Sequence, residues 1–150
     1  DVLQGISDHA KLQIVLNAVE KGSNPWGCTD YLNQKKKILE TGADVYELMN
    51  DYPVHTKAVL INDRLSVVGS YNLDMRSTYL DTELMLVIDS EKLSQQIHKT
   101  ESDYMEKSKE VLANGQETEG AKYQGKVLNR KKKLYYGVLR MIIRPLRQLL

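Results

Sequence analysis

Two short apolar runs joined by three polar residues constrain the fold of this chain most. Residues 56–61 read TKAVLI and residues 65–68 read LSVV, with Asn62, Asp63 and Arg64 between them. Aliphatic and β-branched residues favour strands, whereas Asn and Asp favour tight turns. The segment therefore predicts a β-hairpin, which places the residues before its first strand beside the residues after its second strand.

A strand–helix–strand pattern precedes this hairpin. Residues 12–17 predict a buried strand and residues 43–49 predict a second strand. Between them, Thr29 and Asp30 are good N-caps for a helix that runs to about Glu40. A glycine at position 42 is suited to end that helix.

The elements after the hairpin extend the same alternation of strands and helices. Residues 69–77 predict a turn into a short helix, residues 83–89 predict a buried strand, and a long helix is expected from Glu91 to about Ala113. With 41% hydrophobic and 27% charged residues, the chain has the composition of a globular domain. We expect an α/β fold in which a mixed β-sheet is flanked by helices.

Charge divides the chain unevenly. Residues 1–119 carry 12 Lys and Arg against 20 Asp and Glu, whereas residues 120–150 carry 9 Lys and Arg and no acidic residue. We therefore expect a folded domain over residues 1–113 and a basic tail over residues 127–150. Residues 114–126, which contain three glycines, are expected to be a flexible linker.

The tail predicts a basic amphipathic C-terminal helix. One helical face collects apolar residues, namely Leu128, Tyr135, Val138, Ile142, Leu146 and Leu149. Its apolar runs are far shorter than the ~20 residues that span a bilayer. Two interpretations remain open: an anchor lying on an anionic membrane, or a terminal helix that packs on a missing first half of the protein.

Metal and thiol chemistry are poorly supported by the sequence. The three histidines, His9, His55 and His98, are far apart and form no cluster with ligand spacing, so we expect no metal or other cofactor. Cys28 is the single cysteine and cannot form an intramolecular disulfide. The chain starts at Asp1 without a signal peptide, so we expect a domain taken from a longer protein.

Polar residues with complementary chemistry flank the predicted hairpin. His55 and Lys57 enter its first strand two residues apart, so both side chains leave the same face and can converge on one anion. Gly69, Ser70 and Asn72 follow its second strand, where a glycine allows polar groups to approach a phosphate closely. Lysine supplies charge and Ser and Asn supply directed hydrogen bonds, while histidine transfers protons or attacks near neutral pH.

This H-x-K and G-S-x-N arrangement resembles the phospholipase D superfamily, whose signature is HxKxxxxD followed by GSxN. The match covers His55, Lys57 and the three residues of the GSxN segment at the family's spacing. Asn62 stands where the family has the motif aspartate, with Asp63 next to it, and we expect a turn-fixing role there. The resemblance implies a phospholipase D-like half-domain without a metal, and it suggests that Glu83 hydrogen-bonds and orients His55.

The same resemblance implies a phosphodiester transfer enzyme with a phosphohistidine intermediate. Such enzymes use two histidines, and this chain has one motif, so either a missing N-terminal half or a second copy in a homodimer supplies the other. We expect His55 to be the general acid; the alternative role is that of the nucleophile. Residues 72–89, which follow the motif, resemble the cardiolipin-synthase and phosphatidyltransferase branch of the superfamily. This resemblance implies a phospholipid substrate and peripheral association with a bacterial inner membrane.

Two other functions stay open at this point. A homodimeric, metal-independent nuclease of the same superfamily is one, although the acidic body argues against nucleic acid as a partner. A degenerate half-domain that binds phosphate without catalysis is the other, and Asn62 together with the absent first motif motivates it.

Overall fold

Helices and strands alternate along the chain, which the computed structural model describes for residues 2–125 and 127–147. They follow in the order α1 Val2–Ser7, β1 Gln13–Asn17, α2 Pro25–Glu40, β2 Asp44–Leu48, β3 Ala58–Ile61, β4 Leu65–Gly69, α3 Met75–Tyr79, β5 Met85–Asp89, α4 Glu91–Glu106, β6 Ser108–Val111, β7 Glu117–Glu119 and α5 Arg130–Leu146. Unit 1 comprises the described residues of Asp1–Val54 and Tyr104–Pro145. Unit 2 comprises His55–Asp103 together with Leu146 and Arg147.

Unit 1 is built on a four-stranded mixed sheet in the order β1-β2-β6-β7. Strands β1 and β2 are parallel and are connected through α2, whereas β6 pairs antiparallel with β2, and β7 pairs antiparallel with β6. Val45 and Leu48 of the inner strand β2 are fully buried, as expected for a strand covered on both faces. The predicted α/β class, with a mixed sheet and flanking helices, is confirmed.

Helix α2 begins earlier than the sequence predicted. Its N-cap is Asn24, whose side chain accepts hydrogen bonds from the backbone N–H groups of Trp26 at 3.0 Å and Gly27 at 3.3 Å. Pro25 fits the first helical position because its fixed φ suits a helix and its missing N–H is not needed there. The predicted cap Thr29 lies inside the helix, buried. Gly42 adopts a φ of +86° just after the helix, as its predicted terminating role requires.

The long helix predicted from Glu91 to about Ala113 is wrong at its end. Helix α4 stops at Glu106, and residues 108–111 form β6. Ser108 and Val111 are buried in this strand, and its backbone pairs with β2. Hydrogen bonds to a strand some 60 residues earlier in the chain outweigh local helix propensity here, because propensity differences are only a few tenths of a kcal/mol per residue.

The segment predicted as a linker contains a strand. Residues 117–119 form β7 within the span 114–126, and all three are exposed at the edge of the sheet. Lys109 Nζ lies 3.2 Å from Glu117 Oε1 across the β6–β7 pair. The predicted linker therefore contains the turn, at Gly115 where φ is +82°, and the second strand of an ordered β6–β7 hairpin. The division into residues 1–113, 114–126 and 127–150 stays a prediction.

A buried carboxylate organises the centre of unit 1. Glu47 of β2 accepts hydrogen bonds from Tyr31 Oη at 2.7 Å and Lys35 Nζ at 2.6 Å, and Lys109 Nζ lies 3.3 Å from its second oxygen. Burial acts to raise the pKa of Glu47, but the hydrogen bonds from Lys35 and Tyr31 and the charges of both lysines lower it below 4.5. The carboxylate thus joins α2, β2 and β6.

Helix α5 packs on the same unit. Tyr136 and Ile143 are buried, and Arg140 Nε donates to Asn33 Oδ1 of α2 at 3.0 Å. Arg140 also donates to the backbone oxygen of Leu32 at 3.3 Å. The predicted tail helix is confirmed, and it contacts α2 of its own chain. Its buried residues are not those of the predicted apolar face, of which Tyr135, Val138, Ile142 and Leu146 are exposed. Leu128 precedes the helix, and Leu149 lies outside the described residues. Across the part of the chain that the structure describes, no helix combines the length and apolarity needed to cross a membrane.

Unit 2 contains a three-stranded antiparallel sheet in the order β3-β4-β5. The predicted hairpin is β3 and β4, with Ile61 opposite Leu65. Strand β5 was expected to be buried, but Leu86 and Val87 are 56% and 70% exposed. As an edge strand β5 pairs only with β4, and the fully buried apolar residues of the described chain all belong to unit 1.

Candidate active site

Three chain segments meet at one end of the unit 2 sheet. Gly69 N donates to Lys57 O at 3.2 Å, and Gly69 is also the register partner of Met85. Because the strands are antiparallel, the residues before β3, after β4 and before β5 lie at the same end. This arrangement brings His55 and Lys57 to the same end as Ser70, Asn72 and Glu83, as the hairpin predicted.

Gly69 is required by a close approach of two backbones. A Cβ atom added at Gly69 would lie 2.1 Å from Leu84 O and 2.9 Å from Met85 Cα, well inside van der Waals contact. The same stretch is joined by two hydrogen bonds, from Ser70 N to Leu84 O at 3.0 Å and from Leu84 N to Ser70 Oγ at 3.1 Å. The motif glycine therefore lets the segment before β5 reach Ser70.

His55 and Lys57 form the basic side of the site. Lys57 Nζ lies 2.7 Å from His55 Nε2, and it also donates to the backbone oxygen of His55 at 3.2 Å. In this arrangement the ammonium donates to an unprotonated ring nitrogen, so the ring proton is assigned to Nδ1. His55 is exposed and Lys57 is half-buried, which leaves both groups accessible to an anion.

Glu83 contacts serines in this structure. Ser70 Oγ donates to Glu83 Oε2, and hydrogen bonds from Ser70 and then Ser77 lower the pKa of Glu83, helped by the charge of Lys57. The sequence led us to expect a hydrogen bond from Glu83 to His55, whereas in the described structure the ring nitrogen of His55 contacts Lys57. Glu83 also lies just before β5 and not within it.

Ser77 is a site residue that the sequence analysis missed. Its buried Oγ accepts hydrogen bonds from Asn72 N at 3.2 Å and Asn72 Nδ2 at 3.3 Å. Ser77 is itself positioned by Asp74, the N-cap of α3, which accepts from Ser77 N at 2.7 Å. Asp74 was recognisable as a cap, and the third residue after a cap lies against the turn that precedes the helix. That spacing was the available signal.

These contacts separate the predicted phosphate ligands into two kinds. The hydroxyl of Ser70 already donates to Glu83 and accepts from Leu84 N, so Ser70 is engaged within the protein. Asn72 Nδ2 carries two N–H groups, of which the contact with Ser77 uses one. Lys57, His55 and the second N–H of Asn72 are therefore the groups best able to donate to phosphate oxygens.

Asn62 and Asp63 lie at the other end of the hairpin. Asn62 has a φ of +52°, a left-handed conformation that Asn tolerates better than most residues. Five residues along a strand separate it from Lys57, which corresponds to about 16 Å. A bidentate ion pair from Arg64 to Asp89, at 2.6 and 2.8 Å, closes this end. The replacement of the motif aspartate by Asn62 thus falls on the turn.

Comparison with known proteins gives a consistent family. The family model described as cardiolipin synthase, PLD-like domain, matches residues 6–103. Cardiolipin synthase A of Proteus mirabilis is 37% identical over 94 residues, 63% of this chain and 19% of that protein. Cardiolipin synthase A of Serratia proteamaculans is 32% identical over 105 residues, 70% of this chain and 20% of that protein.

A solved structure is also similar. The crystal structure of a phospholipase D family member, Nuc from Salmonella typhimurium, has a TM-score of 0.48 at 12% identity, covering 79% of this chain and 90% of that one. The chain spans about a fifth of the length of the curated relatives it matches. Because the family model covers well over half of the chain, including the whole site, the chain belongs to the family of cardiolipin synthase, phospholipase D-like domains.

Proposed function

We propose that this chain supplies one half of an active site that cleaves a phospholipid phosphodiester and transfers the phosphatidyl group to an alcohol or to water. The observation that carries the proposal is the pairing of Lys57 Nζ with His55 Nε2, 2.7 Å apart, at the end of the sheet where Asn72 follows β4. Membership of the cardiolipin synthase domain family supports a phospholipid as the substrate.

Each group has a defined role in this reaction. Lys57 and Asn72 donate to the non-bridging oxygens and stabilise the charge that develops on phosphorus. A histidine from the other half attacks phosphorus and forms a P–N bond while the P–O bond to the leaving alcohol breaks. Once Lys57 Nζ turns from His55 Nε2 to the phosphate, His55 in its protonated form gives its proton to the departing oxygen. It then takes a proton from the incoming alcohol or water, whose oxygen attacks phosphorus and forms a new P–O bond as the P–N bond breaks.

Glu83, Ser70 and Ser77 act by positioning in this scheme. The carboxylate of Glu83 accepts from Ser70, and Ser77 accepts from the backbone N–H and one side-chain N–H of Asn72. The negative charge of Glu83 near Lys57 also offsets the positive charge of the lysine before an anionic substrate binds. Orientation of His55 by Glu83, which family resemblance suggests, stays a prediction.

The surface of unit 2 supports the need for a second half. Val59, Ile61 and Val87 are 53%, 47% and 70% exposed on the sheet that carries the site. Val59 and Val87 are both register partners of Val67, so they share one face of the sheet. An exposed apolar sheet face is typical of an interface. We propose that the upstream half of a longer protein, or a second copy of this chain, covers it.

The proposed place of action is the surface of a bacterial membrane, to which the protein binds peripherally. The relatives named above come from bacteria, and phospholipid substrates reside in bilayers. The basic segment over residues 127–150 fits an anionic surface better than the acidic body does. Nucleic acid is the less favoured substrate because a nucleic-acid site normally has a basic face, whereas residues 1–119 carry 20 Asp and Glu against 12 Lys and Arg.

The test measures glycerol release from phosphatidylglycerol vesicles in EDTA. Wild type, His55→Ala and His98→Ala are compared, since His98 is an exposed histidine of the same unit outside the site. With both halves present, in a homodimer or in the chain joined to its upstream half, we expect release by wild type and His98→Ala and its loss in His55→Ala. A short oligonucleotide run in parallel would contradict the phospholipid proposal if it were cleaved in place of the lipid.

The half-site is tested by the same assay with sedimentation equilibrium. Activity of the isolated chain should follow its dimer fraction, and a chain that is monomeric and inactive should become active when joined to the upstream half. Full activity in a strictly monomeric chain would contradict the half-site. Inactivity of the intact protein on phosphatidylglycerol, and on other phospholipids, would contradict the substrate class.

A further inference from the structure

Helix α5 presents two apolar faces. Tyr136 and Ile143, seven residues apart and so nearly two helical turns, lie on the face that is buried in unit 1. Leu134 lies two positions before Tyr136, about 200° around the helix axis, and is 71% exposed. Met141 lies seven residues, nearly two helical turns, after Leu134 and is 69% exposed. The helix therefore keeps an apolar face outward after it has packed.

This outward face is continuous. Its members recur at the three- and four-residue spacing of one helical face and are all exposed, namely Leu134, Tyr135, Val138, Met141 and Ile142. The inner face cannot turn outward to replace it, because Arg140 ties the helix to Asn33 and to the backbone of Leu32. Burial of the inner face thus leaves the outer face free to contact something else.

Basic residues surround the outward face. The first turn of α5 is Arg130–Lys133, and Arg144 lies near its other end. Within residues 120–147 the sequence contains no Asp or Glu, so the charge of the whole segment has one sign. A shallow groove of about 250 Å³ beside the face is lined by Arg140 and Arg144 together with Asn33, Gly137 and Met141. The positive charge of these residues therefore favours anions at one end and along one side of the outward face.

We propose that the outward face of α5 binds the surface of an anionic phospholipid bilayer, with the helix axis in the plane of the membrane. The combination of Leu, Met, Ile, Val and Tyr on one strip with lysines and arginines at its borders is that of an interfacial helix. The lysine stems can extend along the apolar strip while their ammonium groups reach lipid phosphates. With 17 residues α5 is about 25 Å long, enough to contact several headgroups at once.

This proposal rests on the proposed peripheral binding to a bacterial membrane and deepens it by naming the helix face that binds. The inward and outward faces have separate tasks: one attaches the helix to unit 1, and the other attaches unit 1 to lipid. The helix therefore does not have to leave the protein in order to bind. An anionic lipid surface matches both the exposed apolar residues of the outward face and the positive charge of the segment.

The experiment measures co-sedimentation of the chain with phosphatidylglycerol vesicles and with phosphatidylcholine vesicles. We expect at least tenfold stronger binding to phosphatidylglycerol, weakened by salt. Leu134→Gln with Met141→Gln should reduce that binding at least tenfold. The matched control is Val2→Gln with Tyr79→Gln, two residues similarly exposed elsewhere (79% and 72%), and its binding should equal that of wild type.

Charge is tested separately with two triple variants of equal net charge. Neutralising Lys131, Lys132 and Lys133 to Gln should weaken binding to phosphatidylglycerol, whereas neutralising three exposed lysines of the body, Lys36, Lys92 and Lys99, should have a much smaller effect. Met141→Trp adds an indole at the strip, and its fluorescence should shift to shorter wavelength on phosphatidylglycerol vesicles. Far-ultraviolet circular dichroism establishes that each variant is folded.

Two results would overturn the proposal. Unchanged vesicle binding in the Leu134 and Met141 variant, together with an unshifted indole at position 141, would show that another surface meets the lipid. Loss of self-association in that variant, with vesicle binding intact, would show that the strip is a protein interface. Neither readout requires turnover, so failure here and failure of the proposed reaction are distinguishable.

Discussion

Gly69→Ala should loosen the end of the sheet that carries the site. The new Cβ would lie 2.1 Å from Leu84 O, while a carbon–oxygen contact needs about 3.3 Å, so the two backbones must separate by about 1.2 Å. Overpacking of this kind costs about 1–3 kcal/mol. The separation also weakens the hydrogen bond from Ser70 N to Leu84 O, which contributes about 1 kcal/mol.

A smaller effect acts in the opposite direction. Alanine restricts the unfolded chain more than glycine does and returns about 0.4–1 kcal/mol. The net expectation is a decrease of about 2–3 kcal/mol in the free energy of unfolding of unit 2. Hydrogen exchange measured by NMR reports it locally, because the backbone N–H of Ser70 should exchange roughly 30- to 150-fold faster. Urea unfolding supplies the global value.

Gly137→Ala is the control for this substitution. A Cβ at Gly137 meets nothing within 4 Å, and the residue lies within α5. Alanine should therefore stabilise the chain by about 0.5–1 kcal/mol through helix propensity. If Gly69→Ala left the exchange of Ser70 and the urea midpoint unchanged, the close backbone approach would not be the reason for glycine in the motif.

Two further substitutions test the buried carboxylate and the support of Asn72. Glu47→Gln should lower the free energy of unfolding at pH 7 by about 2 kcal/mol, since Lys35 loses its counter-charge and Lys109 keeps only Glu117. Because the folded-state pKa of Glu47 is lowered, the extra stability of wild type is present above pH 4.5 and is lost as pH falls through the lowered value. Urea titrations at pH 7, 5 and 3 measure the difference in free energy of unfolding between wild type and variant. The same difference at all three pH values would contradict this role. Ser77→Ala should slow phospholipid turnover roughly 30-fold, about 2 kcal/mol, through kcat, because the backbone N–H and one side-chain N–H of Asn72 lose their acceptor. An unchanged kcat would refute that role.

The site could be predicted from the sequence where its parts are local. His55 and Lys57 are two residues apart on an extended segment, and a three-residue turn between apolar runs fixes which residues face them. The chain therefore brings Gly69 opposite Lys57 with little contribution from distant residues. The family resemblance could also be recognised from the sequence, because its motif lies within 18 residues.

Side-chain partners within the site were not predictable in the same way. Glu83 was expected on His55, whereas the structure has it accepting from Ser70, because the segment before β5 reaches Ser70 only through the close approach at Gly69. The role of Ser77 depends on the exact cap geometry at Asp74, which sequence spacing alone indicates only weakly. Hydrogen bonds of this kind depend on tenths of an ångström.

Sequence alone determined the elements whose stability is local: the β3–β4 hairpin, the strand–helix–strand entry, the glycine that ends α2, and the basic helix α5. Tertiary structure decided the end of α4 and the strand β6, since their outcome depends on pairing with β2 from a distant part of the chain. It also decided which face of α5 is buried, because both faces are apolar and only packing against α2 distinguishes them. Periodicity shows that a helix has an apolar face, but the partner that covers that face is set by contacts between residues far apart in sequence.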